Sequence, residues 1–155
     1  MPLLVGRHTN KIDRKGRVSV PKQFRDSYQN KGGFPGIYVY PSPKLAAIEA
    51  CDEAFMERMA ASLDDLPLFS DEQSDFAAVL GSAHALPFDP EGRIVLPPKL
   101  IIHAGLDGEA TFVGLGNTFQ IWNPDAYEVR HGEAFARLRE RGSTLTLRHT
   151  AETPR

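Results

Sequence analysis

The sequence predicts an α+β protein in which one small β unit occurs twice, with helices between and after the copies. Three observations carry that expectation. First, Asp13-Arg-Lys-Gly-Arg-Val-Ser-Val-Pro21 returns as Asp89-Pro-Glu-Gly-Arg-Ile-Val-Leu-Pro97, with Asp, Gly, Arg and Pro in register and apolar positions exchanged only for apolar ones. The offset of 76 residues is too long for a solenoid repeat and suits two copies of a small domain. Second, each copy has strand composition around turn residues. Third, the apolar residues of the intervening stretch fall at helical spacing.

The elements follow in order. Residues 3–12 alternate weakly and predict an edge strand entering the first turn. In that turn Asp13 can accept hydrogen bonds from the turn's own N–H groups and Gly16 can take positive φ. Val18 and Val20 then alternate with Ser19 as a half-buried strand that Pro21 stops. Arg17 is left beside the turn, able to reach outward. Lys22 to Gln29 reads as a short helix or irregular turn with Phe24 and Tyr28 inward, and Lys31 to Gly36 as a tight loop. Ile37-Tyr-Val-Tyr40 is a strand by its β-branched and aromatic content. Ser42 and Pro43 are expected to open a helix whose inward stripe is Leu45, Ile48, Phe55, Met59 and Leu63. Leu66 to Phe69 breaks it, and Ser70 with Gln73 forms a capping-box pattern for a second helix to about Ala83, with Phe76, Val79 and Leu80 on its apolar side.

The second unit is expected to open at Phe88. A short segment to Ile102, a Gly105 and Gly108 turn, a strand Ala110 to Leu115, a Gly116-Asn117 hairpin and a strand Thr118 to Trp122 follow. Asn123 and Pro124 start a last helix, with Ala126, Val129, Phe135 and Leu138 inward, until Gly142. Tyr38-Val-Tyr-Pro41 corresponds to Gln120-Ile-Trp-Asn123 at an offset of 82, so the first copy is expected to lack about six residues before its aromatic strand. The implied organisation is a first unit at 4–50, a helical connection at 51–84, a second unit at 85–142 and a polar, disordered tail at 143–155.

Composition bounds the function. The 155 residues are 41% apolar and 25% charged, ordinary for a globular chain. No apolar run is long enough for a signal peptide or a spanning helix, which predicts a soluble protein of the cell interior with no membrane partner. Cys51 is the single cysteine and is expected to be a buried reduced thiol. The net charge of −2 hides a strong polarity. In residues 1–31 eight cations oppose two carboxylates, a balance of +6; in residues 52–75 eight carboxylates oppose Arg58, a balance of −7. Such a chain can present a basic face to phosphate and stay soluble, although charge runs are more often merely solvated.

Several chemistries are excluded. Ser19-Val-Pro-Lys22 fits S-x-x-K, but the S-D-N and K-T-G strings that penicillin-binding enzymes also need are absent. Gly114-Leu-Gly116 sits in a hairpin signal and lacks the third glycine of a dinucleotide site. His8, His84, His103, His131 and His149 lie far apart, so no metal site is expected. No nucleophile, base and orienting group occur together, and neither catalysis nor a cofactor is predicted.

Asp13 to Arg25, Asp89 to Pro97 and Val113-Gly-Leu-Gly-Asn-Thr-Phe-Gln-Ile-Trp122 together resemble the MraZ family of bacterial transcriptional regulators of the division and cell-wall gene cluster. The likeness spans roughly residues 4–140. It implies an AbrB-like architecture, with two swapped-hairpin β-barrel half-units in pseudo-two-fold tandem and flanking helices. It also implies cytoplasmic, nucleoid-associated homo-oligomeric rings that bind short direct repeats of double-stranded DNA in their own promoter. Arg17 and Arg93, with Asp13 and Asp89, fall on the family's paired D-x-x-x-R positions. A turn arginine can pair bidentately with guanine, while Arg14, Lys15, Lys11 and Lys22 are the expected phosphate contacts. Asp13, Gly16, Asp89 and Gly92 are expected to brace the turns; an internal ion pair holding each turn is the bland alternative for Asp and Arg. The sequence departs from the family in a shortened first loop and in Pro90-Glu91, which makes the second turn acidic. A scaffold or antidote protein acting through protein contacts is the competing expectation.

Overall fold

A computed structural model describes residues 3–29 and 33–149. The chain divides into two compact units, Met1–Pro124 and Asp125–Arg155. The first unit carries β1 (Arg7–Lys11), β2 (Arg17–Ser19), α1 (Lys22–Gln29), β3 (Gly36–Pro41), β4 (Ile48–Cys51), α2 (Glu53–Leu63), α3 (Asp71–Gly81), β5 (His84–Pro87), β6 (Arg93–Val95), α4 (Pro98–His103), β7 (Glu109–Gly114) and β8 (Phe119–Trp122). The second consists of α5 (Pro124–Arg141), from its second residue on, and the chain after it.

The duplication is visible in the element order. β1, β2, α1, β3, β4 and α2 recur as β5, β6, α4, β7, β8 and α5, and among the described residues α3 is the one element without a counterpart. Six strands form an antiparallel sheet in the order β1-β7-β8-β4-β3-β5, and β2 pairs with β6 in a separate two-stranded ribbon. Exchanging every strand for its counterpart reads the six-stranded order backwards. The copies therefore share strands: β1 pairs with β7 of the second copy, β5 with β3 of the first, and β4 meets β8 at the centre, Ile48 facing Ile121.

Burial follows from the alternation. Val18, Val20, Ile37, Val39, Ile48, Ile94, Leu96 and Ile121 are fully enclosed. Phe119 is the hub, with its ring centroid 5.1 Å from Phe24 and 5.9 Å from both Phe112 and Tyr28. α1 matches its prediction, with Phe24 and Tyr28 buried. Cys51 is buried too, and desolvation, with the nearby Asp52 and Glu49 charges, pushes its thiol up to about 12, so it is inert as a nucleophile.

Four expectations need correction. No helix begins at Ser42. The Ser42 hydroxyl accepts from the backbone N–H groups of Lys44 and Leu45, and its own N–H donates to Ala47 O, closing a turn between β3 and β4. Ile48 is thus a strand residue, and the helix starts ten residues later, where Asp52 accepts from Phe55 N. Second, β5 precedes Phe88, so the second copy opens with its own equivalent of β1. Third, the counterpart of Phe119-Gln-Ile-Trp122 and the cap position Asn123 is Ile48-Glu-Ala-Cys51 and Asp52, an offset of 71. The first copy is consequently longer between its repeated turn and this strand, and the expected shortened loop does not exist. Fourth, Val129, Phe135 and Leu138 are exposed on α5: among the described residues the second unit holds no other regular element to cover them.

The second helix of the connection starts as expected: Ser70 Oγ accepts from Gln73 N, and Gln73 Oε1 from Phe69 N. It ends at Gly81 and none of its residues is buried, Phe76 of the expected apolar side being exposed. Of the predicted loop Lys31 to Gly36, residues 31 and 32 lie outside the described residues. The tail is irregular over 143–149, and its expected remainder, 150–155, lies outside them as well.

Candidate nucleic-acid interface

Both repeated turns fold by the same local chemistry. In the first, Asp13 Oδ1 accepts from the backbone N–H groups of Lys15 and Arg17, each at 2.9 Å, and Gly16 N donates to Asp13 O. Asp13 Oδ2 takes Arg17 Nε at 2.6 Å. In the second, Asp89 Oδ1 accepts from Glu91 N and Arg93 N, Gly92 N donates to Asp89 O, and Oδ2 takes Arg93 Nε at 2.8 Å. One carboxylate thus closes the turn with one oxygen and aims the arginine with the other. Gly16 and Gly92 sit at φ +82° and +79°, where a side chain is strained.

The electrostatics agree. Each Asp carboxyl is held below its ordinary 3.8, first by the backbone N–H of the arginine four residues on, then by that arginine's side chain. Arg93 is pushed up, chiefly by its hydrogen bond to Asp89, with the charges of Asp89, Glu91 and Asp13 adding to it.

The ribbon brings the turns together. β2 and β6 run antiparallel with Arg17 opposite Val95 and Ser19 opposite Arg93. Because side chains alternate, Val18 and Ile94 point into the core, and Arg17, Ser19, Arg93 and Val95 share the outward face. The arginine side chains are 34% and 28% exposed, held by the turns yet open to a ligand. Each turn is also seated by the other copy: Leu96 N donates to Gly16 O, and Val20 N to Gly92 O.

Of the other predicted residues, Arg14 and Lys15 are exposed at the first turn's tip. Lys11 ends β1 opposite Glu109 at the sheet edge, two residues before Asp13. Lys22 opens α1 and is engaged by Asp26 at 2.9 Å. The sequence reading missed two supports. Arg25 donates to Val20 O and lays its guanidinium against Gly92, where an added Cβ would sit 2.5 Å from Nη1. Asn10 donates from Nδ2 to Ser19 O, tying β1 to the ribbon. Arg25 stands at the repeat position that Ile101 fills beside Gly16, so aligning the copies beyond Pro21 would have singled it out.

Among the described residues, no three His, Cys, Asp or Glu side chains are grouped to hold a metal, and no helix is long and apolar enough to cross a membrane. Fold and site together define a class: an internally duplicated α+β protein whose paired Asp-braced arginine turns lie on one β ribbon. Comparison with known proteins narrows it. A family model described as "MraZ protein, putative antitoxin-like" matches residues 79–148, the second copy. The chain is 44% identical over 127 residues to the transcriptional regulator MraZ of Pelagibacter ubique, covering 81% of each chain. It is 40% identical over 157 residues to that of Gluconobacter oxydans, covering 99% of this chain and 94% of the relative, and 39% identical over 148 residues to that of Methylocella silvestris, covering 95% and 90%. The chain belongs to the MraZ family of transcriptional regulators.

Proposed function

We propose that the chain is a sequence-specific DNA-binding regulator that represses its own promoter and the division and cell-wall gene cluster. In this reading it acts in the cytoplasm at the nucleoid, as a ring of identical chains gripping short direct repeats of double-stranded DNA. Residues 4–50 and 85–142 serve as AbrB-like swapped-hairpin half-units, 51–84 as the helical connection and 143–155 as a tail. One observation carries the proposal: Arg17 and Arg93 share the outward face of a two-stranded ribbon, each held through Nε by the aspartate of its own turn, and the terminal nitrogens of Arg17 have no hydrogen-bond partner among the described residues.

A major groove admits a β ribbon, and a guanidinium offered end-on matches O6 and N7 of guanine, a contact worth about 1 to 3 kcal/mol of base discrimination. The Asp–Arg ion pair is then part of the reader, because it fixes the direction in which the guanidinium is presented. Arg14, Lys15 and Lys11 add phosphate contacts, joined by Lys22 when it exchanges Asp26 for phosphate. The acidic stretch 52–75, which includes α2, would be repelled from the duplex and so favours the ribbon as the docking face.

A second reading draws on the antitoxin-like description of the matching family model: a protein that acts through protein contacts alone. Gel shifts on the DNA upstream of its own gene separate the two. Arg17→Ala with Arg93→Ala should abolish specific binding while circular dichroism and assembly stay those of the parent. A protein-contact module would keep its function in that variant; an absence of specific binding by the parent would defeat the DNA reading, and DNA retention unchanged by both substitutions would defeat the role of the two arginines.

A further inference from the structure

The two turns are built alike but charged differently. Lys15 and Glu91 occupy the same position of the repeat, as do Arg14 and Pro90. From Asp to Arg the first turn has a net charge of +2 and the second −1. Glu91 does more than change that balance: its Oε1 lies 2.7 Å from Arg93 Nη2. Arg93 is therefore held twice, at Nε by Asp89 and at a terminal nitrogen by Glu91. Arg17 is held at Nε by Asp13, and among the described residues its terminal nitrogens have no hydrogen-bond partner.

Resting on the DNA reading above, we propose that Glu91 is a specificity-determining residue that occupies the guanine- and phosphate-binding edge of Arg93, so that the ribbon reads DNA chiefly through Arg17. The carboxylate is a chemical stand-in for the ligand, since the terminal nitrogen that holds a Glu91 oxygen would otherwise be offered to an oxygen of phosphate or guanine. With its side chain 71% exposed, Glu91 holds Arg93 only weakly, as surface pairs do. Displacing it, however, leaves a carboxylate facing an anionic duplex, and that repulsion keeps the second turn subordinate. The consequence is directional. A ribbon with two equivalent turns has two-fold character and fits a two-fold site, as symmetric readers fit palindromes. Glu91 breaks that equivalence and gives the ribbon a leading end, the property needed to read repeats that all point the same way.

The test uses the full chain and its upstream duplex at fixed salt, with fluorescence anisotropy for affinity and circular dichroism to verify folding. In the parent, Arg17→Ala should weaken binding well beyond Arg93→Ala. Glu91→Gln should tighten binding about tenfold, within the range of one bidentate arginine contact. Adding Arg93→Ala to Glu91→Gln should return that gain, a coupling that an uninvolved surface charge would not produce. The reciprocal Lys15→Glu should weaken binding more than Lys15→Gln. Unchanged affinity in Glu91→Gln, or equal losses for the two arginines in the parent, would overturn the role of Glu91 and leave the DNA reading standing. Full affinity in Arg17→Ala would remove the reading of DNA through the arginine turns, and an absence of specific binding by the parent would remove the DNA reading and the role of Glu91 together.

Discussion

At the scale of single residues, the proposed function hangs on two carboxylates that would not themselves touch DNA. Asp13 and Asp89 each close a turn and orient an arginine, and both favour their charged form in the folded chain. Groups depressed in this way contribute stability that is complete above the unfolded carboxyl value, about pH 4, and that drains as pH falls through the lower folded value. Urea midpoints followed against pH should therefore stay level on this account down to about pH 4 and then decline, and Asp13→Asn with Asp89→Asn should flatten that decline. Gly92 gives a sharper prediction. Alanine there would combine positive φ with a collision against the Arg25 guanidinium, so Gly92→Ala should cost more than about 1 kcal/mol in urea unfolding. Gly16→Ala, which combines the same positive φ with a 3.1 Å contact to the backbone Leu96 O, should cost a comparable amount.

At the scale of elements, what was legible in the sequence is what is decided locally. The Asp-x-x-Gly-Arg turns close within five residues, and α1 declares itself by Phe24 and Tyr28 four apart, so both were readable without tertiary information. β4 was not. Ser42-Pro43 imitates a helix start, and Leu45 and Ile48 extend the stripe of α2 backwards, while pairing with β3 and β8 makes the segment a strand. β5 was hidden for a related reason, being four residues that end in proline at the edge of the sheet. The ribbon that sets Arg17 beside Arg93 was likewise invisible, because its register joins residues 74 to 78 apart. Phe24 tests the local element against the shared core. It is fully buried against Phe119 of the other copy, and Phe24→Ala should lower stability by about 3 to 5 kcal/mol by denaturant titration.

At the scale of the whole molecule, one ribbon would be a small grip, and in the proposed ring assembly would supply the rest. Identical ribbons at fixed intervals in a ring convert later contacts into intramolecular ones, so a tandem array of repeats should bind at least a hundredfold tighter than one repeat, on the order expected of linked sites. Affinity should also fall steeply with salt, with a log–log slope near −0.9 for each phosphate engaged. Equal affinity for one repeat and for the array would contradict the ring mechanism. The central claim, that the arginine face of the β2–β6 ribbon is where DNA sits, is tested most directly by amide hydrogen exchange with and without the upstream duplex. The account predicts new protection across residues 13–19 and 89–95, with 53–81 unchanged. Protection gathered on 53–81 with none on the ribbon would contradict it.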